Sequence, residues 1–258
     1  MSRVLRRLAA TLALPSLLVA YWWWVSADST SFYLPPLRQI LAVFPQVWTA
    51  DRLEIAVLPS LARLAAGFLL AAVAGIGLGV VIGRSRVVRG VAEPGLEFFR
   101  AIPPPVLVPI LMLFAGIGDQ MKIIVIATGA LWPILLNTVE GVRAADPVLV
   151  DTARSYRIGG LRRLRHLTLP AAGPQIFAGL RQAVSIAIIL MVISEMFAAN
   201  EGLGFAIIQF QRTFAVPEMW SGTILLGLIG FGLAWAFRLV ERRVLFWYFG
   251  LRAAARDH

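Results

Sequence analysis

The chain has 258 residues, 59% of them hydrophobic and only 15% charged, against about 45–50% and about 25% in ordinary soluble domains. A soluble fold of this size cannot hide so much apolar surface, so composition alone points to a polytopic integral membrane protein. The absence of cysteine excludes disulfides, thiolate metal sites and cysteine nucleophiles, and the net charge of +10 leaves two readings, nucleic-acid binding or arginine-rich loops on the inner side of a membrane.

Uncharged runs near the length of about 20 residues needed to cross a bilayer core occur six times and predict six transmembrane helices. The lack of period-two alternation argues against barrel strands. The first run is Leu8 to Ala27. It begins after basic residues and ends in Tyr21-Trp22-Trp23-Trp24, an aromatic belt that fits a retained helix better than a cleaved signal peptide. Between Asp28 and Glu54, Leu37, Ile40, Leu41, Phe44, Val47 and Trp48 recur at helical spacing after Pro35-Pro36. They predict a short amphipathic helix, either lying in the outer interface or packed on the protein's own outer face.

The second run is Leu64 to Gly83, extended back through Arg63 to Ile55. It carries Gly67, Ala71, Gly75, Gly79 and Gly83, a small residue at every fourth position that admits close helix approach, within the chain or from a second copy. The third, Ala101 to Gly118, opens on Pro103-Pro104-Pro105. Proline donates no backbone bond, so this start is extended or kinked, and irregular backbone at membrane depth points to a wet pathway, a plain helix start with Pro in its first turn being the alternative. The fourth is Ile123 to Val139, the fifth runs from near Pro174 to Ser194 and includes Arg181, and the sixth is Met219 to Phe237.

Placing the N-terminus inside puts 18 of the basic residues in inner segments and 4 in outer ones, with Arg63 and Arg181 inside spans. That asymmetry sets both termini in the cytoplasm. It also removes the nucleic-acid reading, because the charge is spread over four inner segments. Arg63 and Arg181 lie near span ends, where snorkelling explains either one, a contact with an anionic solute being the other reading. Asn137, Ser185, Glu195 and Gln211 are the polar side chains placed to face a translocation pathway. His166 and His258 are the only histidines, so a haem or zinc site within one chain is not expected, and no catalytic pairing lies in the spans. Lys122, the only lysine, follows Met121, whereas a phosphate-binding loop needs Gly before its Lys. No cofactor and no ATPase site of the chain's own are expected.

The inner segment 140–173 carries the strongest signal. Gly159-Gly160 separates two short amphipathic helices. Val148, Leu149, Thr152, Ala153 and Tyr156 share one face, and Leu161, Leu164, Leu167 and Thr168 another. Such a hairpin suits a soluble partner, or an anionic membrane surface that its arginines would favour.

Asp151-Thr152-Ala153, then Arg157, Leu167 and Leu169-Pro170 follow the spacing of the EAA loop of ABC importer permeases, and the segment resembles it. Asp replaces Glu, Thr replaces Ala, and Arg157 stands where that pattern has a turn-forming Gly, a turn that Gly159-Gly160 can supply two residues later. The resemblance extends to Ser60-Leu61-Ala62-Arg63 with Gly67, Phe98 to Pro104, Phe114 to Gly118, Pro133 to Thr138, Ser194-Glu195-Met196 and Gly202-Leu203-Gly204. Together these are similar to the nitrate/sulfonate/taurine subfamily over roughly Ser60 to Arg243.

The resemblance implies an all-α type I importer permease in a bacterial inner membrane. Residues 1–54 would be an N-terminal helix plus outer amphipathic segment, 55–246 the permease core and 247–258 a cytoplasmic tail. It implies a homodimer and two separate ATPase subunits. These would dock on Asp151, Thr152, Ala153, Tyr156, Arg157, Gly159, Gly160, Leu164, Leu167, Leu169 and Pro170. A periplasmic or lipid-anchored binding protein would deliver a small, anionic solute. The competing reading is a stand-alone secondary transporter or channel, which would need ion-coupling carboxylates or a polar filter within the spans.

Overall fold

A computed structural model describes residues 3–197 and 199–254. Within them the only regular elements are helices. In chain order they are α1 (Arg3–Ser26), α2 (Leu37–Val47), α3 (Ala50–Arg84), α4 (Arg86–Arg100), α5 (Leu107–Ala115), α6 (Asp119–Arg143), α7 (Pro147–Ser155), α8 (Gly160–Arg163), α9 (Leu169–Phe197), α10 (Leu203–Arg212), α11 (Val216–Val244) and α12 (Phe246–Ala254). A turn of π-helix over Leu164–Thr168 makes α8 and α9 one 38-residue rod. The last four residues of the expected tail, with Arg256 and His258, lie outside the described residues.

Four helices are long and apolar enough to cross a membrane: α3, α6, the Gly160–Phe197 rod and α11. They contain the second, fourth, fifth and sixth predicted runs. α1 covers the first. The third run takes a different form. Its apolar part is a 3-10 turn at Pro104–Val106 plus the nine residues of α5, bent by 71° from the amphipathic α4. The cause is the expected one: Pro103 is extended, at φ −63° and ψ 123°, and the next two prolines donate no backbone bonds.

Helices α3, α6 and α9 form the core. In lipid no hydrophobic force drives helices together, so close packing at small residues must do it. The stripe of small residues on α3 faces α6. A Cβ added at Gly67, Gly75, Gly79 or Gly83 would come within 3.0 Å of Ile126, Ile134, Thr138 or Val142. Of the two readings of this stripe, packing within the chain is therefore the one observed. The α6–α9 seam works the same way, with Gly179 against the Pro133 carbonyl and Gly141 against Ala172 and Gln175.

The amphipathic helix α2 packs on the protein itself. Leu37 and Ile40 are buried, and Leu41 faces out. The Trp48 indole donates to Ser221 Oγ of α11 at 3.0 Å, and the Leu37 amide donates to Ser26 Oγ of α1 at 3.1 Å. Trp48, Ala56, Leu203, Ala206 and Phe210 make a second, outer cluster that seats α10 between α3 and α11.

Candidate functional site: an inner hairpin and an outer ionic cluster

The inner hairpin starts at α7, where Pro147 occupies the first turn and Asp146 Oδ1 accepts from the Val148 amide at 2.8 Å, a side-chain N-cap. It ends in a Schellman turn: the Ile158 amide donates to the Ala153 carbonyl at 2.8 Å and the Arg157 amide to that of Arg154 at 2.9 Å. The turn residue is Arg157, at φ +52°. Its reversal therefore stays at the position where the family pattern has Gly, and is not passed to Gly159-Gly160 as expected. Gly160, at φ +56°, instead admits the chain into α8.

The two apolar faces divide differently from the prediction. Val148, Leu149, Tyr156 and Leu161 are bare, with Tyr156 77% and Leu161 76% exposed. Ala153 is buried at the joint of the hairpin. Beside it lies a hollow of about 200 Å³ lined in part by Leu149, Thr152, Ile158 and Leu167. Asp151 and Thr152 are exposed, as are Gly159 and Pro170. Leu164 and Leu169 turn inward against the core. The second helix is thus no free-standing element but the foot of a membrane-crossing rod. The π turn falls just before Pro170, whose missing N–H calls for such a local adjustment.

At the opposite end, Arg63 is 3% exposed and Glu195 fully buried, 3.0 Å apart from Nη1 to Oε1. Arg63 Nε also donates to Asp119 Oδ1 at 2.6 Å and Nη2 to Glu201 Oε1 at 2.6 Å. Glu195 Oε2 accepts from the Gly204 amide at 3.0 Å, and Ser60 Oγ, 2.8 Å from Oε1, accepts from the Leu203 amide at 2.9 Å. Lys122 Nζ stands 3.7 Å from Asp119. Gly202, at φ +117°, leaves room for the carboxylate, since a Cβ there would sit 2.5 Å from Glu195 Cδ. This network ties α3, α6, α9 and α10 together. Buried charges persist only when paired and hydrogen-bonded, and Arg63 and Glu195 are both. Arg63 therefore does not snorkel. Arg181, at the other end, is half-exposed and paired with the buried Glu241 of α11.

The four predicted pathway residues are not gathered into one place. Asn137 is half-buried beside Gly179 and donates to the Pro133 carbonyl at 2.8 Å. Ser185 and Gln211 are exposed on α9 and α10. Glu195, committed to the ionic cluster, is about 24 Å along α9 from Gly179 at 1.5 Å per residue.

Sequence reasoning missed the partners of Arg63 and the course of α4. Pro104 packs on Gly129, near the middle of α6. The Glu97–Arg100 ion pair, 2.7 Å long, precedes that break. Arg100 therefore lies well up the bundle and not in an inner loop. The signal was the helical period of Arg86 to Arg100 running into the proline break.

Comparison with known proteins agrees with this architecture. Residues 71–246 match the family described as "Binding-protein-dependent transport system inner membrane component". The taurine transport system permease protein TauC of Escherichia coli (strain K12) is 28% identical over 94% of this chain and 91% of its own length. The bicarbonate transport system permease protein CmpB of Synechococcus elongatus is 34% identical over 72% of this chain and 68% of its own. An inward-facing structure of the MetNI methionine ABC transporter matches 73% of this chain and 94% of that chain, with a TM-score of 0.62 at 22% identity, a likeness of fold. The chain therefore belongs to the binding-protein-dependent transport system inner membrane components, as a multi-pass ABC importer permease.

Proposed function

We propose that the chain is the translocation subunit of an ATP-driven importer for a small anionic solute. Two copies would form the pathway between them, each docking one ATPase on its segment 140–173 within a permease core of 55–246. A periplasmic or lipid-anchored binding protein would load the outer face of this inner-membrane assembly. ATP-driven closure of the ATPase pair would shift the permeases between inward- and outward-open states, a two-state element biased by a ligand bound elsewhere. ATP hydrolysis would belong to the partner.

The observation that carries this reading is the bare apolar hairpin of Val148, Leu149, Tyr156 and Leu161, whose second arm, from Gly160, runs without a break into α9. A partner pushing there moves a rod of about 57 Å at 1.5 Å per residue. The anionic class is supported by the substrates in the names of CmpB and TauC, bicarbonate being an anion and taurine carrying a sulfonate beside its ammonium. Asn137, Ser185 and Gln211 remain the proposed pathway contacts, with Glu195 acting by holding the outer helix ends.

Purification of the tagged chain from its host in mild detergent, followed by mass spectrometry, tests the reading. An ATPase subunit in equal proportion is expected. It should be lost from Ala153→Glu, which forces charge into the hairpin joint while leaving the spans intact. A well-folded chain that elutes alone would favour the secondary-transporter alternative.

A further inference from the structure

We propose that the inner rim binds an anionic phospholipid, with the phosphate in an arginine-lined cleft and an acyl chain in the apolar groove that adjoins it. The cleft, of about 750 Å³, forms where the ends of α3 and α6 and the start of α4 meet the hairpin. Arg84, Arg86, Arg89, Arg143, Arg154 and Arg163 line it. The one acid in its wall, Asp151, is taken by Arg154 at 3.1 Å, and Arg143 is paired with Glu140 at 2.8 Å. Arg84, Arg86, Arg89 and Arg163 form no ion pair among the described residues. Four unneutralised guanidinium groups around one hollow concentrate positive potential, and their planar forks match phosphate oxygens.

The groove beside it is of a different character. It measures about 500 Å³ and is lined by Ile76, Gly77, Val80, Val81, Leu164 and Leu169, with Arg84 shared between groove and cleft. Gly77 makes the room, since a Cβ there would meet nothing within 4 Å. A free anion uses only the arginines. A phospholipid uses both, with its headgroup at the cytoplasmic level and its chain running up α3. Basic pockets between membrane helices on the cytoplasmic side suit such headgroups. The cleft's unpaired arginines are not among the residues assigned to ATPase docking, but Asp151 and Leu167 of the cleft and Leu164 and Leu169 of the groove are, so lipid and ATPase would share this rim.

The full chain, purified in mild detergent, is given equal amounts of phosphatidylglycerol and phosphatidylcholine, and the retained lipid is counted by native mass spectrometry. The wild type should retain phosphatidylglycerol preferentially. Retention should fall at least about tenfold in Arg84→Gln/Arg86→Gln/Arg89→Gln, which removes three of the four unpaired guanidinium groups. It should fall also in Gly77→Leu, which fills the groove and touches no arginine. Inorganic phosphate in excess should fail to displace the lipid from the wild type. Equal retention of the two lipids overturns the proposal. So does a Gly77→Leu protein that holds phosphatidylglycerol like the wild type, or displacement by inorganic phosphate, either of which marks a site for a free anion. If the triple variant does not fold, Gly77→Leu decides alone.

Discussion

Arg63 shows what a single charge costs and secures inside a membrane protein. Its guanidinium faces three carboxylates, of which Glu195 is fully buried while Asp119 and Glu201 reach solvent. Removing the arginine strands the Glu195 charge, so Arg63→Met should destabilise the chain by about 3–5 kcal/mol. Arg63→Met/Glu195→Leu should recover a large part of that loss, because it removes both charges. Thermal unfolding in detergent, followed by circular dichroism, reads the difference. A double variant as unstable as the single one would mean that Glu195 is held mainly by Ser60 and the Gly204 amide. Arg157 is the second residue that acts alone. Its φ of +52° costs a side-chain-bearing residue about 1–2 kcal/mol, partly offset because glycine would lose more backbone entropy on folding. Arg157→Gly should therefore tighten the hairpin by about 1 kcal/mol or less, seen as slower amide hydrogen exchange at Arg157 and Ile158. Faster exchange there would show that the arginine side chain stabilises the turn.

Among the elements, the α3–α6–α9 core was the most legible in sequence and α4 the least. A small residue at every fourth position predicts a close seam without specifying its partner, and the partner proved to be α6. For α4, the charges Arg86, Arg89, Glu93, Glu97 and Arg100 read as an inner loop, because hydropathy counts charges and ignores their helical phase. Only the bend after Arg100, set by Pro103, lets such a helix rise beside the bundle. The seam yields a paired prediction. Gly179→Ala places a methyl 2.6 Å from the Pro133 carbonyl, a backbone atom that cannot turn aside, and should cost about 1–3 kcal/mol. Gly77→Ala, with open space around it, should be neutral or gain up to about 1 kcal/mol from helix propensity. Detergent melting temperatures of the two variants check this, and equal shifts would contradict the close α6–α9 contact.

Across the whole molecule the two ends do different work. The outer end is locked by ions and by the Trp48–Ser221 contact, while the inner end is bare, basic and apolar at once. The sequence located the hairpin, since arginine placement and the Asp151–Pro170 spacing are local patterns, but not its turn at Arg157 or the continuity of its second arm with α9. It carried the outer end poorly. Ser60, Arg63, Asp119, Glu195 and Glu201 are separated by up to 141 positions, and no periodicity announces that they meet. Arg63 read as a snorkelling residue because its acceptors lie on other helices. With an ATPase docked as proposed, force would enter at the hairpin, travel along the Gly160–Phe197 rod, and meet an outer end tied by ion pairs. The most direct test is a photo-crosslinking amino acid placed at Tyr156 or Leu161 in the assembled transporter, with Leu69, exposed on the flank of α3, as control. Adducts with the ATPase subunit should form from Tyr156 and Leu161 and not from Leu69. Adducts with lipid alone from the hairpin positions, in a preparation that still contains the ATPase, would contradict the assignment of this hairpin as the docking element.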